Sequence, residues 1–137
     1  MKKILIDTNI LIYSIDKESV FHNKSYEIVN SKQFDKYISS KNISEFLSVT
    51  TRETIYSLSI EEVLESLDFF ISNFTILYPS IHSLEIFRKL LLKYKPVGNR
   101  IHDIEIISIA LSNDIKEIAS YNEKDFIVIS EIKTFVP

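Results

Sequence analysis

The chain has 137 residues, with 16 Lys and Arg against 19 Asp and Glu, and a formal net charge of −3 at pH 7. This balance argues against a protein that holds nucleic acid through a broadly basic surface, although a bound metal could supply positive charge locally. Cysteine is absent, so disulfides and thiolate zinc sites are excluded. The three histidines are scattered, so any metal is expected to be a hard cation bound by oxygen atoms.

The composition indicates one continuous domain over residues 1–137. There is one glycine, there are three prolines, and no linker, repeat or low-complexity tract is visible. Asp7 and Asn9 interrupt the apolar run near the start, which argues against a signal peptide. No apolar stretch has the length that a membrane helix needs. We expect a cytoplasmic protein with no membrane association.

The first half of the chain alternates between strand and helix patterns. An apolar strand runs into a carboxylate that can cap the following short helix. Further along, apolar residues recur on one face of a helix that follows a short strand. In chain order the expected elements are a strand at about 3–6, helices at about 8–15 and 20–31, a short strand at 37–38, and a helix after Ser40.

The second half repeats this alternation. Ser59 and Glu62 form a capping-box pattern for a helix, and Pro79 ends the strand that follows. The remaining expected elements are a strand at about 74–78, helices at about 80–94 and 101–111, and strand candidates at 116–121 and 126–129. Strands that alternate with helices predict an α/β fold with a largely parallel sheet.

Two aspartates lie at positions where such sheets build their sites. Asp7 directly follows the first strand, and Asp103 lies in the first turn of a later helix. The carboxyl ends of parallel strands share one edge of the sheet, where sites of open α/β folds form. Each residue also has a purely structural explanation, because aspartate caps strand-to-helix turns and an acid in a first helical turn is favoured by the helix dipole.

Two further acidic positions are less specific when taken alone. Glu45 lies away from the apolar stripe of its helix, as a solvated residue would, and the segment 120–126 could be an ordinary polar turn after a strand. Together with the two aspartates they suggest a shared acidic site for a metal ion. Clustered carboxylates raise one another's pKa, and a divalent metal relieves that cost. Two such ions can stabilise the attacking and leaving oxygens of a phosphodiester displacement.

Four segments in this order carry a resemblance to a known family. They are Asp7-Thr8-Asn9-Ile10-Leu11, Glu45 within a Ser-Glu-Phe helix, Gly98-Asn99-Arg100-Ile101-His102-Asp103, and Ser120-Tyr121-Asn122 followed by Asp125-Phe126. The order and spacing closely resemble the PIN-domain ribonucleases, and most of all the VapC-type toxins of bacterial toxin–antitoxin pairs. The resemblance covers nearly the whole chain.

The resemblance implies a PIN-like three-layer α/β/α sandwich with a central, mainly parallel sheet of four to five strands. It implies an acidic pocket that holds one or two Mg²⁺ or Mn²⁺ ions, with RNA as the substrate. Asp7 and Asp103 would be the principal metal ligands and Glu45 a further catalytic carboxylate. The fourth metal-binding position, often an acid in the family, is matched by Asn122 or Asp125, so the second metal is the less certain one.

Other residues would line the pocket or touch the substrate. By resemblance, Thr8, Asn9 and Ser120 would contribute hydroxyl and amide groups. Arg100 could neutralise a neighbouring phosphate, or could be a solvated loop charge. The resemblance also implies a homodimer and a small cognate antitoxin protein that covers the pocket.

The expected activity is metal-dependent endoribonuclease cleavage, in which a metal-bound water attacks the phosphate in line. The resemblance implies products with a 5′-phosphate and a 3′-hydroxyl. One alternative is a catalytically weak PIN-fold module that binds RNA or a partner protein, and Asn122 in place of an acid favours it. Another is a magnesium-dependent phosphatase or phospho-receiver domain. It is disfavoured because an aspartyl phosphatase needs a second acid two residues after the first, where this chain has Asn9.

Overall fold

A computed structural model describes all 137 residues and shows five strands and seven helices. The strands are β1 (Lys2–Ile6), β2 (Phe34–Ser39), β3 (Thr75–Leu77), β4 (Glu117–Ala119) and β5 (Lys133–Phe135). The helices are α1 (Thr8–Ile15), α2 (His22–Asn30), α3 (Ser40–Thr51), α4 (Ile60–Asn73), α5 (Ile81–Tyr94), α6 (Arg100–Ser112) and α7 (Glu123–Phe126).

The five strands form one sheet in the order β3-β2-β1-β4-β5, and every neighbouring pair is parallel. Strand β1 is central, with Leu5 opposite Tyr37 of β2 on one side and Ile118 of β4 on the other. All carboxyl ends therefore lie along one edge, and the pairing of β1 with β4 brings Ile6 and Ala119 side by side at that edge.

Successive residues of β1 point to opposite faces of the sheet and enter separate cores. Leu5 packs with residues of α5 and α6, including Leu90 and Ile107. Ile4 and Ile6 pack in a second cluster whose members come from the other helices. That second cluster draws on α1, α2, α3 and α4, through Ile10, Leu11, Ile28, Val29, Phe46 and Phe70. The two cores make the sheet the middle layer of an α/β/α sandwich, so the predicted fold class is confirmed.

Two strand-to-helix transitions occur without a connecting loop at the carboxyl edge. The carboxylate of Asp7 accepts a hydrogen bond from the backbone N–H of Thr8 and caps α1. Ser39, the last residue of β2, caps α3 in a reciprocal capping box with Asn42. These caps satisfy backbone donors that a helix start leaves unpaired. They also fix the first turns of α1 and α3 beside each other above the sheet.

One predicted strand is wrong. Residues 126–129 end α7 and begin a turn, and the fifth strand is β5, at Lys133–Phe135. Phe126, Ile129 and Ile132 are all buried, and their spacing of three residues suits a helical turn better than a strand. The polar composition of β5, with Lys133 and Thr134, gave no strand signal of its own.

Smaller differences concern the ends of elements. Strand β2 begins at Phe34, because its pairing with β1 starts at Lys2, and the polar pair Asp35-Lys36 hid this extension in the sequence. Helix α2 is shorter than the predicted 20–31 segment. The capping box of Ser59 and Glu62 is present. No helix has both the length and the apolar content required to cross a membrane.

Candidate active site

Asp7 lies at the carboxyl edge of the central strand and is held from several directions. Its backbone N–H donates to the carbonyl of Ala119 at 2.9 Å, which joins the ends of β1 and β4. Its Oδ1 accepts from the backbone N–H of Thr8 at 2.9 Å, and its Oδ2 accepts from the hydroxyl of Ser120 at 2.6 Å. The residue is only 7% exposed. The orientation of this carboxylate is therefore fixed by its neighbours.

Ser120 connects Asp7 to other polar groups at the same edge. Its Oγ accepts from the backbone N–H of Asn122 at 3.0 Å and lies 3.4 Å from Nδ2 of Asn9. Since one hydroxyl donates to Asp7 and accepts from the others, its proton is directed at the carboxylate.

Asn42 is a supporting residue that the sequence analysis missed. It is fully buried, and its Nδ2 donates to Oγ1 of Thr8 at 3.0 Å while its Oδ1 accepts from both the N–H and the hydroxyl of Ser39. This side chain joins the start of α3 to the start of α1. The Ser39-Asn42 spacing is a capping signal, but it does not reveal the contact with Thr8.

Asp103, in the first turn of α6, faces the same region from a different part of the chain. Burial, followed by the negative charges of Asp7, Asp125 and Glu45, raises the pKa of Asp103 to about 6, while Arg100 opposes the shift. Burial likewise raises the pKa of Asp7 to about 6. Glu45 and Asp125 add to that rise, while the hydrogen bonds from Ser120 and Thr8 oppose it. The charges of Glu45 and Asp125 therefore act on both aspartates, and the repulsion makes the protons of Asp7 and Asp103 harder to remove.

The other predicted residues lie around this cluster in different settings. Glu45 is exposed on α3, and Asp125 is partly buried on α7. Arg100, at the start of α6, donates from Nη2 to the carbonyl of Asp125 at 3.0 Å, and its Nη1 lies 3.9 Å from the carboxylate of the same residue. Asn122 is exposed and takes part through its backbone N–H rather than its side chain.

The donor chemistry of the cluster fits a hard divalent cation. Every side-chain ligand candidate offers oxygen, and the carboxylates carry negative charge that no nearby lysine neutralises by an ion pair. The Oδ1 atom of Asn9 is buried and has no hydrogen-bond partner, so it is also free to accept. No three His, Cys, Asp or Glu side chains converge closely enough in this arrangement to form a complete cage around one ion.

The comparisons with known proteins decide the family. The PIN domain family model matches residues 4–132, which is nearly the whole chain. The chain belongs to the PIN domain family. The family expected from the four sequence segments is therefore confirmed. No curated protein sequence matches significantly.

Several solved structures have the same fold as this PIN domain. VapBC2 from Rickettsia felis, bound to a promoter DNA fragment, aligns with a TM-score of 0.72 at 23% identity and covers 98% of each chain. VapBC-1 from nontypeable Haemophilus influenzae gives 0.71 at 20% identity, covering 98% of this chain and 97% of the other. VapC20 from Mycobacterium tuberculosis, described as a Sarcin-Ricin loop cleaving toxin, gives 0.72 at 9% identity, covering 92% and 95%. At these identities the likeness concerns the fold.

Proposed function

We propose that this PIN domain is a metal-dependent endoribonuclease and the toxin of a bacterial toxin–antitoxin pair. The observation that carries the proposal is the electrostatic contact between Asp7 and Asp103, which lie far apart in sequence. The negative charge of Asp7 raises the pKa of Asp103, and the charges of Glu45 and Asp125 raise the pKa of both. A pair of such perturbed carboxylates in a cleft marks a candidate catalytic site. The fold neighbour described as cleaving the Sarcin-Ricin loop supports RNA as the substrate class.

In the proposed mechanism, Asp7 and Asp103 would hold Mg²⁺ or Mn²⁺, with Glu45 as a further carboxylate and Asp125 or Asn122 in the fourth position. A divalent ion bound there supplies positive charge to the phosphate and makes water a stronger acid. Whether one or two ions bind depends on that fourth position. The RNA product would carry a 5′-phosphate and a 3′-hydroxyl.

The remaining side chains orient these groups. The hydroxyl of Ser120 and the N–H of Thr8 keep Asp7 in one rotamer and stabilise its ionised form. The amide oxygen of Asn9 is buried without a hydrogen-bond partner, so it would be able to accept a hydrogen bond from a ligand or from the substrate. Arg100 can exchange its weak contact with the Asp125 carboxylate, 3.9 Å away, for a phosphate oxygen of the substrate.

We also propose a small antitoxin as inhibitor, a homodimer as the assembled form, and the cytoplasm as the location. Two of the solved fold neighbours are described as VapBC complexes, one of them on promoter DNA. The outer faces of two helices leave apolar side chains exposed that protein partners could cover. They are Ile60, Leu64 and Ile71 on α4, and Ile81, Leu84 and Leu92 on α5.

One observation favours a second candidate, a PIN module that binds RNA or a partner protein with little catalysis. The carboxylates do not converge into a three-ligand cage, and Asn122 stands where an acid would complete the set. Metal binding without cleavage of any RNA offered would select this candidate over the nuclease.

The test uses purified protein, 5′-labelled RNA and either Mg²⁺, Mn²⁺ or EDTA. We expect cleavage with either metal, none in EDTA, and loss of cleavage in Asp7→Asn and Asp103→Asn. Asp114→Asn is the matched control, because Asp114 is exposed at the opposite edge of the sheet and its positive φ suits asparagine. Cleavage by Asp7→Asn at the wild-type rate would contradict the assignment.

A further inference from the structure

Three aromatic rings from separate parts of the chain meet beside the acidic pocket. Tyr13 comes from α1, Phe21 from the turn before α2, and Tyr121 from the segment after β4. The ring centroids of Phe21 and Tyr121 are 4.6 Å apart, and that of Tyr13 lies 5.1 Å from Phe21 and 5.7 Å from Tyr121. We name this group the aromatic platform.

The platform is anchored on its Tyr121 side. The phenol oxygen of Tyr121 lies 2.8 Å from Oγ of Ser25, which is fully buried on α2, and 3.4 Å from the carbonyl oxygen of Phe21. These contacts hold the turn before α2 against the end of β4. The rings are therefore ordered before any ligand arrives, which lowers the entropy cost of using them in binding.

The platform adjoins the proposed catalytic site through consecutive residues. Tyr121 directly follows Ser120, whose hydroxyl donates to Asp7, and Tyr13 lies on the helix that Asp7 caps. A ligand that places a phosphate near Asp7 would have its neighbouring nucleotide close to these rings.

Phe21 has a larger exposed fraction than any other phenylalanine of the chain. It is 40% exposed, whereas the other eight phenylalanines are buried or partly buried, and its neighbour Val20 is 90% exposed. Tyr13 and Tyr121 are also partly exposed. The structure thus presents aromatic surface to solvent at the edge of the site.

The negative net charge of the molecule indicates which type of ligand the aromatic platform suits. The net charge is −3 and the neighbouring carboxylate cluster is negative, so an overall basic charge is not a source of RNA affinity here. Stacking on aromatic rings is independent of charge and is a general means by which proteins hold unpaired bases. RNA bases are thus the ligand that such a surface suits.

We propose that Phe21 and Tyr121 form a stacking site for one base of single-stranded RNA next to the scissile phosphate. This inference rests on the proposed nuclease function and adds the feature that positions its substrate. An unpaired base would lie against Phe21, and the selection of single-stranded segments would follow, because a base inside a duplex cannot reach the ring.

The absence of tryptophan from the chain allows a direct optical test. Phe21→Trp introduces one fluorophore into the platform, in an Asp103→Asn background with Mg²⁺ so that RNA is not consumed. Probes are a 12-residue oligoadenylate and an abasic oligomer of equal length. The matched control is Lys116→Trp, since Lys116 is exposed directly before β4, at the opposite edge of the sheet.

We expect oligoadenylate to quench the Phe21→Trp fluorescence, whereas the abasic oligomer does not, and the Lys116→Trp signal stays unchanged. In the active protein, Phe21→Leu keeps apolar packing but lacks a π face. We expect it to raise KM about 10-fold with kcat little changed, equivalent to about 1.4 kcal/mol of binding.

Other outcomes would overturn the proposal. If anisotropy shows that labelled RNA binds while Phe21→Trp is not quenched and Phe21→Leu cleaves like wild type, the platform is not a base site, and the nuclease function stands. If no RNA binds and wild type cleaves none, both proposals fail. If Phe21→Leu instead changes the mass in light scattering and leaves RNA binding intact, the platform is a contact between copies of the chain.

Discussion

The hydroxyl of Ser120 donates a 2.6 Å hydrogen bond to the carboxylate of Asp7, which connects the end of the central strand β1 to that of its neighbour β4. The bond favours the ionised form of Asp7 and so works against burial, which raises the pKa of the same group. A small side chain thereby helps to keep a buried acid available to a cation.

Ser120→Ala tests this support. Loss of the hydroxyl should raise the pKa of Asp7 further above its usual range and weaken Mn²⁺ binding by about 10-fold or more, as removal of a group that orients a metal ligand commonly does. Isothermal titration with Mn²⁺ at pH 7 measures the change. Ser112→Ala, which removes a hydroxyl bonded only within the last turn of α6 and to Asn113, is the control. Equal Mn²⁺ affinity in both variants would show that Ser120 has no such role.

The ionised carboxylate of Asp7 should destabilise the folded protein when no metal is bound. Its pKa is about 6 in the folded protein against 3.8 for a free aspartate, so the folded state binds the proton more tightly than the unfolded state. The stability that this proton gives is present below pH 4 and lost as the pH rises to about 6. In EDTA at pH 8, Asp7→Asn should therefore be more stable than wild type by about 2 kcal/mol.

Urea unfolding at pH 8 and pH 4 measures this difference. The gain in Asp7→Asn should shrink at pH 4, where wild type is mostly protonated. The control variant Asp114→Asn should show no such pH-dependent gain. If Asp7→Asn instead had a lower free energy of unfolding than wild type at pH 8, the claim that the ionised Asp7 destabilises the metal-free fold would be wrong.

Cation binding should compete with protons. Mn²⁺ needs ionised carboxylates, and the pKa values of Asp7 and Asp103 are each about 6 in the absence of metal. The increase in Tm on adding Mn²⁺ should therefore be large at pH 7.5 and small at pH 5. Differential scanning fluorimetry in wild type and Asp103→Asn checks this, and the variant should show little increase at either pH. A Tm increase that is equal at both pH values in wild type would exclude these carboxylates as the ligands.

A second polar contact stabilises the fold away from the pocket. Glu131, before β5, accepts hydrogen bonds from Lys93 at 2.8 Å and from the hydroxyl of Tyr94, both on α5. Despite burial, which acts the other way, these hydrogen bonds lower the pKa of Glu131 to about 2. The resulting stability is present above about pH 4.5 and is lost as the pH falls toward 2.

Glu131→Gln should lower the free energy of unfolding at pH 7, by less than about 1 kcal/mol because the ion pair with Lys93 is partly exposed and is screened by solvent. The loss should diminish below pH 3, and RNA cleavage should be unaffected. Glu123→Gln is the control, because Glu123 is exposed and forms no ion pair. An equal loss at pH 7 and pH 2.5 would assign the effect to packing rather than to charge.

The sequence predicted those features that depend on local patterns. Apolar runs and capping residues such as Ser59 identified most helices and the central strand, and the alternation of elements predicted the parallel sheet. The rule that sites form at strand ends singled out Asp7. The structure places Asp103 close to it, and the metal-binding roles of both stay predictions.

Features that depend on tertiary contacts could not be predicted in this way. Strand β5 has three residues and a polar centre, and it is a strand only because β4 lies beside it. Asn42 supports Thr8 because α3 and α1 start side by side, which no spacing within either segment reveals. Phe21 and Tyr121 are likewise brought together only by the packing of α2 against the end of β4.

The most direct test of the central claim is an anomalous-diffraction map of crystals grown with Mn²⁺. We expect one strong peak between the carboxylates of Asp7 and Asp103, with oxygen ligands at about 2.0–2.2 Å, as hard divalent cations prefer. A peak at another place, with the two carboxylates bound to no common ion, would contradict the proposed metal site and the nuclease mechanism that depends on it.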